Sequence, residues 1–421
     1  MRGMKLGLVI FGAAILTLAL GGLAYAFHSG GVAECSGCHS MHAPKTGGSN
    51  LLIGTDQSST CLTCHEQAGL ATPSSYHVST ASADLPVGTP PKQRTPGGDF
   101  GWLKKTYSFT VRSATTTEAG QTHGHNIVAT DNGYLPDTDN TTAPGGTFSA
   151  ANLGCQSCHD PHSQIRRLND GTFVKGGTRG AATAPIVASG SYDNSGTPVA
   201  GQAFGTYRLL RGLNDASQGV TYTGVALAVA PSTYNQTEAT NQVRVAYGAT
   251  GINTWGNWCA TCHPGMHSSG NYVHPVDEGL GSTLAANYNA YVKSGDLTGN
   301  SATAFTSLVP FAENTGDLTV LASHAKNNNS QLGGPGDSDK VMCLTCHRAH
   351  ATGWPEMLRW NMEGEFMTYN SLYPGTDSTP TVPQFARGRL AAETQAAYYD
   401  RPVTQFASYQ RLLCNKCHAK D

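Results

Sequence analysis

The chain has 421 residues and a net charge of −2, and only 13% of its residues are charged, against roughly 25% in ordinary soluble domains. This balance argues against a nucleic-acid-binding surface, which needs clustered basic residues. Glycine is abundant, with 50 residues, and the sequence brings little aliphatic volume to offset the entropy lost on ordering it. We therefore expect something other than aliphatic packing to supply the core.

Residues 1–26 predict a signal peptide. Arg2 and Lys5 precede an apolar stretch at 6–20, and A-Y-A before residue 27 is a small-residue cleavage site. A membrane anchor is the alternative, but the apolar stretch is short for a bilayer. No later segment is apolar and long enough to span a membrane, so we expect 27–421 to form one exported domain without a membrane span.

All 12 cysteines fall into six C-x-x-C pairs, and each pair is followed directly by histidine. C-x-x-C-H is the attachment sequence of c-type haem. On one helical turn, the thiols and the imidazole project to the same side, so two thioethers and one iron ligand meet one haem. The predicted thioether residues are Cys35, Cys38, Cys61, Cys64, Cys155, Cys158, Cys259, Cys262, Cys343, Cys346, Cys414 and Cys417. The predicted proximal ligands are His39, His65, His159, His263, His347 and His418.

Other uses of C-x-x-C fit this chain less well. Disulfides are possible in an exported protein, but they leave six histidines unexplained. Structural zinc needs four ligands, and redox-active C-x-x-C motifs occur singly. Histidine makes up 16 of the 421 residues, so a histidine after all six pairs lies far beyond chance. The sequence therefore predicts six c-type haems, which also supply the missing core.

Each haem iron has two axial positions, so six bis-histidine haems need six further histidines. Ten of the 16 histidines lie outside the motifs, which is enough. Methionine is the alternative second ligand in electron-transfer cytochromes, but only 8 methionines are present and two of them precede residue 27. The sequence therefore favours bis-histidine ligation.

Three motifs carry a second histidine three residues after the first, in the pattern C-x-x-C-H-x-x-H. They are the first, third and fifth motifs, and the additional histidines are His42, His162 and His350. This alternation predicts a two-haem unit repeated three times, around residues 27–154, 155–342 and 343–421.

A histidine three residues after the proximal one lies on the same side of its own haem and cannot reach the opposite face. It therefore binds a different haem, or it binds none and lies on the surface. If each reaches back to the preceding unit, His350 serves the third haem and His162 serves the first. His42 then points to a haem that this chain does not contain.

The distal ligands of the even-numbered haems are less determined, because the candidates lie in loop-like segments and could equally form surface or core hydrogen bonds. The favoured residues are His77, His125 and His324, and the alternates are His274, His28 and His267. His123 is the weakest candidate and is left out of the predicted set.

The segments between the motifs are rich in turn residues and have no fixed repeat length. We expect short helices around each motif and at 282–293 and 388–399, and brief strands at 105–111 and 242–245. The predicted fold class is a multihaem cytochrome c, mostly coil and turns with short helices and few short strands, organised around a chain of six haems. With haems near both ends, such chains could join head to tail into open filaments.

Several segments carry a more specific resemblance. They are F-H-S-G-G-V-A-E-C from Phe27, T-P-G-G-D-F-G-W from Thr95, G-H-N-I-V-A from Gly124, A-P-S-T-Y-N from Ala230 and the final Y-Q-R-L-L-C-N-K-C-H-A-K-D. The chain resembles the extracellular hexahaem cytochrome filaments, or nanowires, of metal-reducing bacteria. The resemblance implies bis-histidine haems in alternating parallel and T-shaped contacts. It also implies that the histidine matching His42 binds the fifth haem of the neighbouring subunit.

The predicted function is long-range extracellular electron transfer by a head-to-tail homopolymer, without enzymatic turnover. The expected partners are outer-membrane donor cytochromes and extracellular acceptors such as Fe(III) or Mn(IV) oxides or other cells, after transit through the periplasm. One alternative is a multihaem oxidoreductase enzyme, which needs an open iron site. The other is a monomeric periplasmic electron shuttle, which would share every haem motif.

Overall fold

The computed structural model describes residues 35–42, 44–45, 50–67, 76–162, 164–176, 184–267 and 274–418. The predicted signal peptide at 1–26 and the alternate ligand His28 lie outside the described residues. Within these ranges, no helix combines the length and the apolar character needed to cross a bilayer.

The helices of the described residues are short, and the longest of them has 10 residues. The α-helices are α1 (Cys35–Cys38), α2 (Gln57–His65), α3 (Cys155–Cys158), α4 (Trp255–Cys259), α5 (Gly281–Ala290), α6 (Leu318–His324), α7 (Cys343–Cys346), α8 (Pro383–Ala386), α9 (Ala391–Ala397) and α10 (Asn415–His418). Single 3₁₀ turns occur at Ser82–Asp84, Phe100–Lys104, Gly120–His123, Thr130–Asn132, Ala150–Asn152, Tyr207–Leu209, Pro264–Met266, Pro355–Met357 and Val403–Gln405.

The strands form four small sheets in the described part of the chain. The strands are β1 (Glu66–Gln67), β2 (Ser79–Thr80), β3 (Tyr107–Val111), β4 (Ala114–Glu118), β5 (Ile165–Arg167), β6 (Phe173–Lys175), β7 (Ile186–Ala188), β8 (Ala203–Phe204), β9 (Leu227–Val229), β10 (Ala246–Gly248) and β11 (Ala312–Glu313). Their orders are β1-β2, β3-β4, β6-β5-β8-β7 and β11-β10-β9. The β3–β4 pair is an antiparallel hairpin that pairs Tyr107 with Glu118.

Each haem motif folds as a single helical turn. In five motifs the amide of the proximal histidine donates to the carbonyl of the first cysteine: His39 to Cys35 (2.8 Å), His159 to Cys155 (2.9 Å), His263 to Cys259 (3.1 Å), His347 to Cys343 (3.0 Å) and His418 to Cys414 (3.1 Å). The remaining motif, the second along the chain, lies within α2, where the Asp56 carboxylate accepts from the Ser59 amide at 2.7 Å and caps the helix. These turns bring both sulfurs and the imidazole to one side, as haem attachment requires.

The fold class expected from the sequence is confirmed: the chain is mostly coil, with short helices and few short strands. Helices α5 and α9 and strand β3 lie where they were expected. The strand predicted at 242–245 is wrong, since β10 begins at Ala246 and pairs with β9 only from there. Arg244 instead forms an isolated bridge with Lys326.

The apolar core is divided into four clusters in the described residues. The largest contains the fully buried aromatic residues Trp354, Trp360 and Tyr398 and lies mainly in the C-terminal part of the chain. A second surrounds Trp255, a third lies beside α6, and the fourth surrounds Phe100 next to α2. A core in several parts suits a chain whose largest apolar groups are expected to be bound cofactors.

A buried charged cluster ties the β3–β4 hairpin to the C-terminal segment. Glu118 accepts hydrogen bonds from Arg389 and from Arg387 (3.2 Å), and its Oε1 lies 2.7 Å from Nε2 of His123. Nδ1 of His123 lies 2.9 Å from the carbonyl of Trp102. Burial alone would raise the pKa of Glu118, but the hydrogen bond with His123 and the charge of Arg389 together outweigh it and lower the pKa to about 2.

Candidate haem sites

The cysteines of successive motifs are neighbours in space. Burial raises the pKa of three thiols, and a cysteine of the next motif raises it further; these pairs are Cys38 with Cys64, Cys158 with Cys262, and Cys346 with Cys414. At the other two junctions a thiol–thiol hydrogen bond raises the pKa of one cysteine and lowers that of its partner; these pairs are Cys61 with Cys155 and Cys259 with Cys343. Thioether formation removes these protons, but the interactions show that the two cysteines of each pair lie close together. The six motifs therefore follow one another in space in their order along the chain.

The junctions are also contacts between helices. Helix α2, which carries the second motif, packs on α3 of the third, and α4 of the fourth packs on α7 of the fifth. These are the same two junctions that have the thiol–thiol hydrogen bonds. The structure thus alternates closer and looser junctions along the row of motifs.

Five of the six proximal imidazoles lie with Nδ1 against a backbone carbonyl. The pairs are His39 with Asn50 (2.8 Å), His65 with Tyr76 (2.5 Å), His159 with Arg208 (2.6 Å), His263 with Pro144 (2.9 Å) and His347 with Glu356 (2.7 Å). A carbonyl can only accept, so Nδ1 carries the proton and Nε2 keeps its lone pair. This is the tautomer that binds a metal through Nε2.

Four pairs of imidazoles face each other at nearly the same distance. The ring centres are 6.4 Å apart for His39 and His162, 6.4 Å for His159 and His350, 6.1 Å for His125 and His263, and 6.4 Å for His274 and His418. Imidazole nitrogen binds a metal ion at about 2 Å, so two rings on opposite sides of one ion have centres about 6 to 6.5 Å apart. The spacing therefore fits one iron between each pair.

His77 lies in the neighbourhood of His65. Burial lowers the pKa of His77, and the charge of His65 lowers it further. Burial also lowers the pKa of His125 to about 4 and that of His350 to about 3. These imidazoles are neutral at physiological pH, which is the form that binds metal.

His347 is the exception among the proximal residues. Its Nδ1 is held by the Glu356 carbonyl like the others, but among the described residues no histidine ring faces it at the spacing of the four pairs. His42 is exposed and next to Met41, whose side chain is 78% exposed. The described chain therefore contains one proximal histidine without a facing ring and one exposed histidine of the C-x-x-C-H-x-x-H type.

Two candidate ligands are not brought to any facing pair. Nδ1 of His324 lies 2.6 Å from a Glu313 oxygen, and Nε2 of His267 lies 3.2 Å from an Asp277 oxygen. His274, an alternate from the sequence, stands opposite His418 in place of His324. His324, the last residue of α6, lies against a carboxylate, and the structure does not bring this predicted ligand to a facing pair.

Two glycines allow the backbone segments that carry His125 and His350 to pack closely against each other. The His350 amide donates to the Gly97 carbonyl (2.7 Å), and the His125 amide donates to the His350 carbonyl (2.9 Å). A Cβ at Gly98, which has φ +97°, would overlap the Ala351 carbonyl, and a Cβ at Gly124 would overlap that of His350. The backbones approach this closely only because both positions are glycine.

The sequence did not reveal which carbonyls would hold the proximal imidazoles. Three of the five belong to short segments of the form x-Leu-Leu or x-Met-Leu, beginning at Asn50, Arg208 and Glu356. Such a pattern recurs by chance in any chain, so it became informative only when the structure placed each copy beside a motif.

The geometry can be compared with known proteins. No protein-family model matches the chain. The C-type cytochrome OmcS of Geobacter sulfurreducens is 50% identical over an alignment of 447 residues that covers 100% of both chains. Two cryo-EM structures, of OmcS nanowires and of an outer membrane cytochrome S filament from the same organism, match with a TM-score of 0.84 at 48% identity. Each match covers 94% of this chain and 100% of the other. The chain belongs to the OmcS family of C-type cytochromes, which confirms the resemblance seen in the sequence.

Proposed function

We propose that this protein conducts electrons over long distances outside the cell, through six covalently attached c-type haems per chain and through subunits joined head to tail in a filament. The observation that carries the proposal is the repeated use of a histidine from a later motif. His162 of the third motif faces His39 of the first, and His350 of the fifth faces His159 of the third. If His42 of one molecule reaches back to the preceding molecule in the same way, it stands opposite His347 of that molecule.

Four of the proposed ligand pairs follow from the facing rings. They are His39 with His162, His159 with His350, His263 with His125, and His418 with His274. We add His65 with His77 because the two lie near each other, and His347 with His42 of the neighbouring molecule because of the repeated use of a later motif. The thioether residues are the 12 cysteines of the motifs. Every histidine of this set is a candidate of the sequence analysis.

Bis-histidine ligation suits electron transfer. A haem iron with two axial imidazoles changes oxidation state without an open position for substrate, and its potential is tuned by burial and by hydrogen bonds to its ligands. The chain supplies the second factor at six imidazoles of the set, whose Nδ1 atoms lie against backbone carbonyls, and it buries His77. The consecutive order of the motifs supports one continuous path from the first motif to the sixth.

The relatives support the setting of this function. An exported polymer of this family would take electrons from outer-membrane cytochromes and pass them to extracellular acceptors such as Fe(III) or Mn(IV) oxides or other cells. The alternative of a multihaem enzyme requires one iron with an exchangeable position. In the described part of a single molecule the His347 site lacks a facing ring at the spacing of the four pairs, and polymerisation would close it.

Replacement of His42 tests the proposal. In His42→Ala chains we expect six attached haems by mass, but few or short filaments by electron microscopy, because His347 loses its distal partner. His324→Ala is the matched control, since it removes an imidazole that pairs with Glu313 and with no haem motif. The control should form filaments of the parent length.

Electron paramagnetic resonance of the same samples separates the alternatives. Parent filaments should show low-spin haem, and His42→Ala chains should show one high-spin haem in six. Unchanged filaments in His42→Ala would overturn the shared ligand. A high-spin signal of one haem per chain in parent filaments would support the enzyme alternative.

A further inference from the structure

Three of the carbonyls that hold a proximal imidazole belong to unusual backbone. The six residues have paired positive φ values: Asn50 57° and Leu51 59°, Arg208 52° and Leu209 54°, Glu356 57° and Met357 57°. Two successive non-glycine residues in the left-handed region are costly and persist only where surrounding contacts hold them. Each pair is followed by leucine, and we call these segments the straps, at 50–52, 208–210 and 356–358.

The same three hydrogen bonds attach each strap to its motif. In the first, the amide of the residue after the proximal histidine donates to the carbonyl of the second strap residue. In the second, the amide of the residue directly after the strap donates to the carbonyl of the second cysteine. In the third, Nδ1 of the proximal histidine donates to the carbonyl of the first strap residue. At 50–52 they are Ser40 to Leu51 (2.7 Å), Ile53 to Cys38 (3.0 Å) and His39 to Asn50 (2.8 Å). At 208–210 they are Asp160 to Leu209 (2.7 Å), Arg211 to Cys158 (2.9 Å) and His159 to Arg208 (2.6 Å). At 356–358 they are Arg348 to Met357 (2.9 Å), Arg359 to Cys346 (2.8 Å) and His347 to Glu356 (2.7 Å).

Loop closure does not explain this agreement. The straps begin 11, 49 and 9 residues after their proximal histidines, so three connections of unlike length end in one geometry. The carbonyls of Tyr76 and Pro144, which hold the proximal imidazoles of the second and fourth motifs, do not belong to such a pair. The straps are a property of the first, third and fifth motifs.

Two of these three motifs share one other feature. Their facing histidine comes from the next two-haem unit, as His162 does for His39 and His350 does for His159. For the fifth motif the proposed distal histidine, His42, comes from the next molecule. A ligand that arrives on a separate segment can close the site only if the proximal ring already stands in the right orientation. A hydrogen bond from Nδ1 to a fixed carbonyl sets the tautomer and the plane of the ring and makes Nε2 a stronger donor.

We propose that the straps are positioning elements that fix the proximal imidazoles of these three motifs to receive a distal histidine from the next unit or, at His347, from the next molecule. The inference rests on the proposed ligand set. It adds that the junction between two molecules is built with the same device as the junctions between units inside one chain.

The strap at 356–358 can be broken without a change of charge. Proline holds φ near about −65°, so Met357→Pro cannot adopt the left-handed conformation. Met357→Leu is the matched control, because leucine occupies this position in the other two straps. Both full-length haem-loaded chains are compared by mass, electron paramagnetic resonance, potentiometric titration and electron microscopy.

We expect Met357→Pro to keep six haems, to change the g values of one of them, to raise one reduction potential because the ligand is weaker, and to shorten the filaments. Met357→Leu should match the parent. Identical spectra, potentials and filaments in the two variants would overturn the proposal.

The variants Leu209→Pro and Leu209→Met test the role of the strap at 208–210, where the facing histidine belongs to the same chain. This pair replaces the Met357 pair if the Met357→Pro chain does not accumulate. A changed haem signal in Leu209→Pro alone supports the straps even if His42→Ala still forms filaments. Equal signals in the Leu209 pair, with filaments lost in His42→Ala, would overturn the straps and leave the filament proposal standing.

Discussion

The histidines of this protein divide according to the atoms around their rings. Several of those in facing pairs hold Nδ1 against a backbone carbonyl, as at His125 with Ala349, whereas Nδ1 of His350 is buried without a hydrogen-bond partner. His324, His267 and His123 instead lie against the carboxylates of Glu313, Asp277 and Glu118. A carboxylate next to Nε2 or Nδ1 gives the imidazole a hydrogen-bond partner within the chain. These three histidines are therefore left out of the proposed ligand set.

Glu118 gives a prediction at the scale of one residue. Its pKa of about 2 in the folded chain lies below its ordinary value of 4.5. A lowered pKa contributes stability that is present above the unfolded value and is lost as the pH falls from about 5 towards 2, here about 3 kcal/mol. We expect Glu118→Gln to lower the free energy of unfolding of the haem-loaded protein by about 3 kcal/mol at pH 7.

Denaturant unfolding followed by circular dichroism at pH 7, 5 and 3 measures this effect. The difference between parent and Glu118→Gln should shrink as the pH falls. Glu365→Gln is the control, since the ion pair of Glu365 with Arg411 is exposed and spans 3.5 Å. It should change stability by less than about 1 kcal/mol. A difference between parent and Glu118→Gln that does not depend on pH would contradict the assignment.

At the scale of elements, the glycine contacts couple two haem sites. Gly98 and Gly124 let two loops close on the segment that carries His350, and the amide of His125 is bonded to the same segment. Gly98→Ala adds a Cβ where the backbone is left-handed and where the Ala351 carbonyl already lies. We expect a loss of about 2 to 5 kcal/mol in stability and altered resonance signals of two haems together, the third and the fourth.

Gly133→Ala is the matched control for this prediction. Gly133 has φ +77°, but no atom lies within 4 Å of the added Cβ. The control should therefore carry only the backbone cost and leave all haem signals as in the parent. A change in one haem alone in Gly98→Ala would show that the two sites are not coupled through this contact.

The motifs were predictable from the sequence because C-x-x-C-H binds its haem within one helical turn. The proposed second ligands of the odd haems were predictable in part, since the alternation of C-x-x-C-H-x-x-H could be read directly. The proposed choice of His274 over His324 was not. His274 reaches His418 in a segment where Asp277 bonds to Val341 and Leu280 to Asp339, and no local pattern encodes those long-range contacts.

At the scale of the whole molecule, the divided core makes the fold depend on its cofactors. In the part of the chain that the structure describes, the longest helix has 10 residues and the longest strands have five, and isolated elements of that length are marginal in water. We expect the chain made without haem attachment to be largely unstructured, with weak far-ultraviolet circular dichroism and no cooperative melt.

The haem-loaded chain is the control for that measurement, and it should melt cooperatively at a much higher temperature. A variant with serine at Cys414 and Cys417 lacks attachment of the last haem only. It should keep most of the structure and lose order mainly around α5 and α10, which pack on each other. A cooperative melt of the haem-free chain would contradict this view of the core.

The lone ring of His347 has a consequence for the polymer. When each junction joins His347 of one molecule to His42 of the next, all subunits point the same way. One end of the fibre then shows an unused imidazole and the other an iron with five ligands. The filament is therefore polar, and its two ends are chemically distinct at any length. A partner that binds only one end determines which end of the filament contacts that partner.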